Sequence, residues 1–373
     1  MTLLNKLKQK EKDLITLISN KAKNQGVRAF VVGGVVRDLI LNKEIKDIDF
    51  LIEGSAIDFV KKAGFEIKSI HESFDTAKIL INNEEIDVAS TRSENYPKSG
   101  CLPVVDKVGI KIEEDLKRRD FTINSIAINI INNEIIDPFN GKNDIQNKIL
   151  KVLHNKSFED DPTRILRGLD FKYRFNFDFS NDDKQLIENL LKNYNREGLS
   201  IDRIYLTLNK IFSFSYSDKI LKDIIEKEIY KIWTNKVQIK TNEIEEIKKT
   251  IQLFKINEQN KFYIMALETF PYIKAPLKND FEIYEFFKKF KSTQLAFYYF
   301  KTKDENAIKY LKLKDIKPLI SGKTLIDNGF EQGEIIGHIL NLILKEKILN
   351  PNNLKTLKDE IDFAIKMKPW LVF

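Results

Sequence analysis

The period of apolar and polar positions changes along the chain, and the changes divide it. Residues 1–25, MTLLNKLKQKEKDLITLISNKAKNQ, carry apolar side chains at helical spacing and lack an apolar h-region or a small-residue cleavage site. This pattern predicts an ordinary amphipathic helix and no signal peptide. RAFVVGG at 28–34 is a short apolar run ending in two glycines and followed by VVRDLIL, the pattern of a buried strand, a tight turn and a helix. Further strand patterns lie at DIDFLIE (47–53), AKILIN (77–82) and EIDVAS (85–90), with a helix at SAIDFVKKA. Residues 92–112 lack a period and contain Pro97, Gly100, Pro103 and Gly109, which predicts a long loop leading to a helix around EEDLKRRDFTINSIA. From about residue 157 onward, segments such as RILRGLDFKYRF, KQLIENLLKNY and HILNLILKEKIL repeat apolar residues at helical spacing. The first third therefore reads as mixed α/β and the remainder as helical.

Composition narrows the possibilities. At 373 residues the chain is long enough for two or three domains. Lys and Arg exceed Asp and Glu by 62 to 55, a net +7 that attracts polyanions without naming one. Cys101 is the single cysteine, which excludes an intrachain disulfide and a thiolate zinc site and fits a reducing, cytoplasmic setting. No run of about 18 apolar residues is present, so no membrane span is expected. His71, His154 and His338 are too scattered for a histidine zinc cluster or a His-Asp phosphohydrolase site, and no GxxxxGK[ST] loop occurs. The aromatic run QLAFYYF at 294–300 has helical spacing, the pattern of core before that of an RNA-stacking surface.

The candidate chemistry begins at Asp47 and Asp49, which flank Ile48 so that strand alternation points both carboxylates to one face and the isoleucine to the core. Two convergent carboxylates suit a hard cation such as Mg²⁺, which keeps waters and substrate phosphates in its other positions. Upstream, Gly33 and Gly34 form a strand-to-helix turn with Arg37 in the helix's first turn, the form of a phosphate cradle. Asp87 in EIDVAS offers a third carboxylate opposite in facing to Ile86 and Val88. Each also has a plainer reading: exposed aspartates at a strand end, a simple tight turn, an edge-strand aspartate.

Taken in order, GGVVRD, DID, DVASTR, DLKRRDFTINSIAI, IDPFNGKNDIQNKIL and DDPTRILR resemble the consecutive motifs of class II tRNA nucleotidyltransferases and the related bacterial poly(A) polymerases, over roughly residues 25–175. PLISGKTLIDNGFEQGEIIGHIL at 318–340 is similar to a C-terminal segment of tRNA nucleotidyltransferases and favours a tRNA substrate. The resemblance implies an α/β head of the polymerase-β-like nucleotidyltransferase type, with a small mixed sheet, over residues 1–150. An all-α remainder would follow, with a nucleotide-selecting neck at 151–215 and a tRNA-binding body and tail at 216–373. It implies CCA addition to the tRNA 3′ end from CTP and ATP, with pyrophosphate released and no obligatory protein partner. Alternatives are a CC-adding or A-adding enzyme, a poly(A) polymerase, or an inactive RNA-binding protein of the same fold.

On the matched positions, Asp47 and Asp49 would hold Mg²⁺ and Asp87 would align or deprotonate the RNA 3′-hydroxyl. Gly33, Gly34 and Arg37 would hold the triphosphate, and Arg119, Asp120 and Asn124 would surround ribose and phosphates. The alternative for Arg118, Arg119 and Asp120 is a surface charge cluster capping a helix. Asp161 and Arg164, three apart on a helix opened by Pro162, can imitate a Watson–Crick partner. The carboxylate accepts from the exocyclic amine of cytosine or adenine and the guanidinium donates to the adjacent ring nitrogen. Arg167 lies one turn further on the same face, and the alternative for the pair is a surface i to i+3 ion pair. The chain departs from the family pattern at Asp160, where a glutamate is usual, and at Asp170, where an arginine is usual.

Overall fold

The computed structural model describes residues 2–194, 196, 198–235, 237, 239–268 and 273–368. It divides into two compact units, residues 1–236 and 237–373.

In the first unit, helix α1 (Gln9–Gln25) buries Ile15, Ile18 and Ala22 along one stripe, as its spacing requires. The chain then alternates strand and helix: β1 (Arg28–Val32), α2 (Gly34–Ile40), β2 (Phe50–Glu53), α3 (Ala56–Ala63), β3 (Glu66–His71), β4 (Thr76–Ile81) and β5 (Glu84–Ser90). A hairpin of β6 (Arg92–Asn95) and β7 (Val104–Val108) follows, then α4 (Ile112–Lys117), β8 (Ala127–Asn129), β9 (Ile135–Ile136) and α5 (Gly141–Asn147). Seven strands form one sheet in the order β3-β4-β5-β2-β1-β8-β9, antiparallel throughout except where β2 runs parallel to β5. Phe30, Val32, Leu51, Ala127, Ile112 and Leu116 make one core cluster between the sheet and α4.

Helices complete the unit: α6 (Ser157–Asp160), α7 (Thr163–Phe175), α8 (Asn181–Asn193), α9 (Ile201–Ile211) and α10 (Ser217–Glu226). A short parallel pair, β10 (Ile149–Leu150) with β11 (Asp178–Phe179), ties the stretch before α6 to the end of α7. The expected mixed-sheet head followed by helices is the architecture the chain adopts.

Three local expectations are corrected. The strand expected from Asp47 begins at Phe50, where pairing to both β1 and β5 starts, and the charged stretch before it remains a loop held by buried Ile48. The loop expected over 92–112 contains the β6–β7 hairpin, with Pro97, Gly100 and Pro103 collected in its tip. Val104 and Val108 face solvent, so the strand pattern there did not read as a buried one. The helix expected around residues 113–127 stops at Lys117. Beyond it the Asp120 carboxylate takes the Phe121 amide and the Asn124 side chain, a local alternative to helical bonding.

The second unit is helical among its described residues: α11 (Ile244–Leu253), α12 (Gln259–Leu267), α13 (Asp280–Phe287), α14 (Ser292–Thr302), α15 (Asn306–Leu313), α16 (Gly322–Asp327), α17 (Glu334–Leu349) and α18 (Leu357–Met367). Phe297, Tyr298 and Phe300 are buried, so the run at 294–300 is largely core. Glu360 is fully buried, accepting from the Leu319 and Ile320 amides and from Lys347, which pins the segment before α16. Among the described residues no helix is long and apolar enough to cross a membrane.

Candidate active site

The parallel pairing of β2 with β5 brings the acids together. Phe50 stands opposite Val88, so Asp49 and Asp87, each one residue earlier, are neighbours across the two strands. Asp87 lies on an interior strand of the sheet, which removes the edge-strand alternative. Burial first, and then the charges of Asp87 and Asp47, push the Asp49 carboxyl above its ordinary value, while Arg119 opposes the shift. Lys78 on β4 pairs in register with Asp87, its Nζ 3.7 Å from the carboxylate.

Among the described residues no group of three His, Cys, Asp or Glu side chains is gathered closely enough to hold a metal ion. A Mg²⁺ bound by two carboxylates with waters and phosphates needs no such group. Mutual repulsion at Asp49 is the condition a divalent cation relieves, so the donor set fits the ion in chemistry.

Beside these acids, a cleft of about 560 Å³ gathers ten of the twelve predicted site residues: Gly33, Gly34, Arg37, Asp49, Arg119, Asp120, Asn124, Asp161, Arg164 and Arg167. Asp47 and Asp87 line an adjoining groove of about 930 Å³, and Asp49 lines both. Gly33 has φ +65° and sits at the start of α2. A β-carbon there would stand 3.1 Å from Arg119 Nη1, so both backbone and neighbour demand glycine.

The alternative for residues 118–120, a surface charge cluster, gives way to a half-buried to buried network. Asp115, fully buried, accepts from Arg118, from Arg119 and from the Arg92 amide, and Arg118 also binds Glu94. Burial favours the protonated Asp115, but the two arginines and the amide overcome it and hold the carboxyl below its usual range. Asp120 behaves alike: burial raises it, yet Arg167 and the bonds from Asn124 and the Phe121 amide leave it lowered. Arg167 Nη2 comes to 2.6 Å of Asp120 Oδ2, but that oxygen receives no hydrogen bond, so the contact is an ion pair off the donor axis. Arg37 is buried, donates to Asn124 Oδ1 at 2.6 Å and to Asp38, and lies over the rings of Phe171 and Phe175.

The pair expected to select the nucleotide differs from its expected form. Asp161 precedes α7 in extended conformation, and α7 begins at Thr163, so the two residues do not share a helix. Nor do they form the surface ion pair that was the alternative, because both are buried and each has its own partners. Asp161 Oδ1 accepts from the Thr163 amide and hydroxyl and faces Arg203 Nη2 at 2.9 Å. Arg164 donates to Ser157, to Tyr96 Oη and to the Arg118 carbonyl. Arg203, on α9, also binds the Gly100 carbonyl, and the Gly100 amide bonds the Glu159 and Asp160 carbonyls. The hairpin tip is thereby clasped between residues 159–161 and α9. Periodicity gives no hint of Arg203 or Tyr96, whereas Asp115 was readable as an i, i+3 and i, i+4 partner of two arginines. Asp170, where the family pattern has arginine, is buried and accepts from Tyr216 Oη at 2.6 Å.

Residues 29–151, which carry the sheet and the glycine turn, match the poly A polymerase head domain. The chain is 39% identical over 217 residues to an A-adding tRNA nucleotidyltransferase of Aquifex aeolicus, covering 54% of this chain and 26% of that protein. It is 33% identical over 216 residues to a CCA-adding enzyme of Streptococcus thermophilus, covering 57% and 52%. It thus spans between about a quarter and about half of these relatives' lengths. A Thermotoga maritima CCA-adding enzyme complexed with tRNA-CCA has the same fold, with a TM-score of 0.74 at 23% identity over 98% of this chain and 97% of that one.

Proposed function

We propose that the protein is a tRNA nucleotidyltransferase that adds CCA to the tRNA 3′ end from CTP and ATP with Mg²⁺ and releases pyrophosphate. The observation that carries this reading is the single cleft that joins Asp49, the Gly33–Gly34 turn, the Arg119/Asp120/Asn124 group and the Asp161/Arg164 pair. Asp47 and Asp49 would hold the metal, which supplies charge neutralisation at the reacting phosphate. Asp87 would align or deprotonate the RNA 3′-hydroxyl. Asp161 and Arg164 would present an acceptor and a donor to one base edge, which would suit cytosine and adenine and mismatch uracil and guanine at both positions. Residues 216–373 would supply RNA affinity.

A second reading, addition of the terminal adenosine alone, is favoured by the 39% identity to an A-adding relative. The experiment is to incubate tRNA lacking CCA, CA or A with CTP, ATP or both and to read the 3′ ends. Full CCA on the shortest substrate supports the first reading, extension only of tRNA already ending in CC supports the second, and no incorporation removes both.

A further inference from the structure

Three cations that line the cleft form no ion pair among the described residues: Arg164, Arg174 and Lys210. Arg37, Arg118, Arg119 and Arg167 are each paired with an acid, and Arg164 is engaged by Ser157, Tyr96 and the Arg118 carbonyl, whereas Arg174 and Lys210 have no ion-pair partner among the described residues. Arg174 belongs to the last turn of α7 and Lys210 to that of α9, and these helices pack together. Asp170, one turn before Arg174, accepts from Tyr216 Oη and forms no ion pair with Arg174.

Their position along the cleft is also informative. Arg164, Arg167, Phe171 and Arg174 recur at three- and four-residue spacing and line the cleft as one face of α7. At 1.5 Å per residue, Arg174 lies about 15 Å along the axis from Arg164, a span suited to an extended nucleotide read at Arg164 by its base. At the far end the guanidinium carbons of Arg174 and Arg37 lie 4.9 and 4.6 Å from the centre of the same Phe175 ring. Arg37 adjoins the glycine turn, its Nη2 3.6 Å from a β-carbon position on Gly34. Two guanidinium groups against one ring repel each other, and Asp38 neutralises only Arg37. An anion between them and Lys210 relieves that repulsion.

We propose that Arg174, assisted by Lys210, binds the terminal phosphates of the incoming nucleoside triphosphate. This inference rests on the nucleotidyl-transfer reading of the cleft and adds positioning residues to it. The alternative source of the same chemistry is an RNA phosphate, and a purely structural role for Arg174 at the end of α7 is the remaining one.

The test measures CTP, CMP and tRNA affinity of the full chain by competition, for wild type and for Arg174→Met, Lys210→Met and Arg174→Lys. The methionine variants are expected to weaken CTP binding about tenfold or more, with CMP and tRNA affinities unchanged within about twofold, and Arg174→Lys to restore part of the loss. Equal losses for CTP and CMP indicate a structural role and overturn the proposal. Loss confined to tRNA assigns the pair to RNA phosphate and overturns it as well, as does an unchanged CTP affinity. A wild-type protein that binds no CTP defeats the underlying functional reading instead.

Discussion

Arg119 reaches across the start of α2 so that its Nη1 lies over Gly33, 3.1 Å from where a β-carbon would stand, while Asp115 fixes the same guanidinium from behind. The turn and the arginine therefore define one surface, and a side chain on Gly33 disturbs both. At φ +65° alanine is strained in the turn and displaces Arg119. Gly33→Ala is expected to cost about 1 kcal/mol or more of stability and to weaken CTP binding about tenfold. Urea unfolding and nucleotide titration check the two parts separately. Wild-type nucleotide affinity in this variant would show that the turn takes no part in binding.

Asp47 and Asp49 stand on the loop before β2, with Asp87 beside them across the β2–β5 pair. Replacing either of the first two by asparagine keeps shape and removes charge. Asp47→Asn or Asp49→Asn is expected to reduce incorporation by more than about 100-fold at any Mg²⁺ concentration and to leave tRNA binding intact. Single-turnover incorporation and tRNA filter binding provide the comparison. Near-normal turnover in either variant argues against a metal held there.

Much of this arrangement was legible before the fold, because glycines, paired carboxylates and ordered motifs are local features. The alternation around Ile48 placed Asp47 and Asp49 correctly even though the strand itself starts later. What the sequence could not convey was partnership between distant segments. Nothing near Arg203 points to Asp161, more than 40 residues earlier, and nothing near Tyr96 points to Arg164. Asp170 looked anomalous because its partner, Tyr216, lies 46 residues away. The helix expected through Asp120 failed for the opposite reason: a short-range side-chain bond outcompeted a good helical pattern.

Asp183, at the start of α8, gives the fold a pH signature. Burial pushes its carboxyl up to about 6, partly offset by the Val152 amide and Ser180, against an ordinary value of 3.8. Because the folded value is the higher, protonation favours the folded state. This contribution is full below about pH 4 and is lost as pH rises through about 6. Asp183→Asn keeps an acceptor for Val152 without the charge. It is expected to be more stable than wild type by on the order of 1 to 3 kcal/mol at pH 7.5, with only about a third of that advantage left at pH 4.5. Urea unfolding followed by far-UV circular dichroism at the two pH values tests this, and an advantage independent of pH would refute it.

Arg203 is the residue on which nucleotide choice should depend without touching nucleotide. Its guanidinium holds Asp161 Oδ1 at 2.9 Å and the Gly100 carbonyl at 2.8 Å, so that one fork aims the selecting carboxylate and secures the hairpin tip. With Oδ1 held by Arg203 and Thr163, Oδ2 would be the oxygen that meets a base amine in the proposed reading. In Arg203→Ala the carboxylate loses its ion pair and can rotate, so the donor pattern it enforces is blurred. The preference for CTP and ATP over UTP and GTP is expected to fall by on the order of 1 to 3 kcal/mol, with Mg²⁺ dependence unchanged. Arg203→Lys keeps the charge but cannot fork to both partners, and an intermediate loss is expected. Asp161→Ala should narrow the same preference at least as far, and combining it with Arg203→Ala should add little, because both act through one carboxylate. Competition assays with paired nucleotides supply the ratios. Strictly additive losses in the double variant would mean that Arg203 acts on selection by a route other than Asp161.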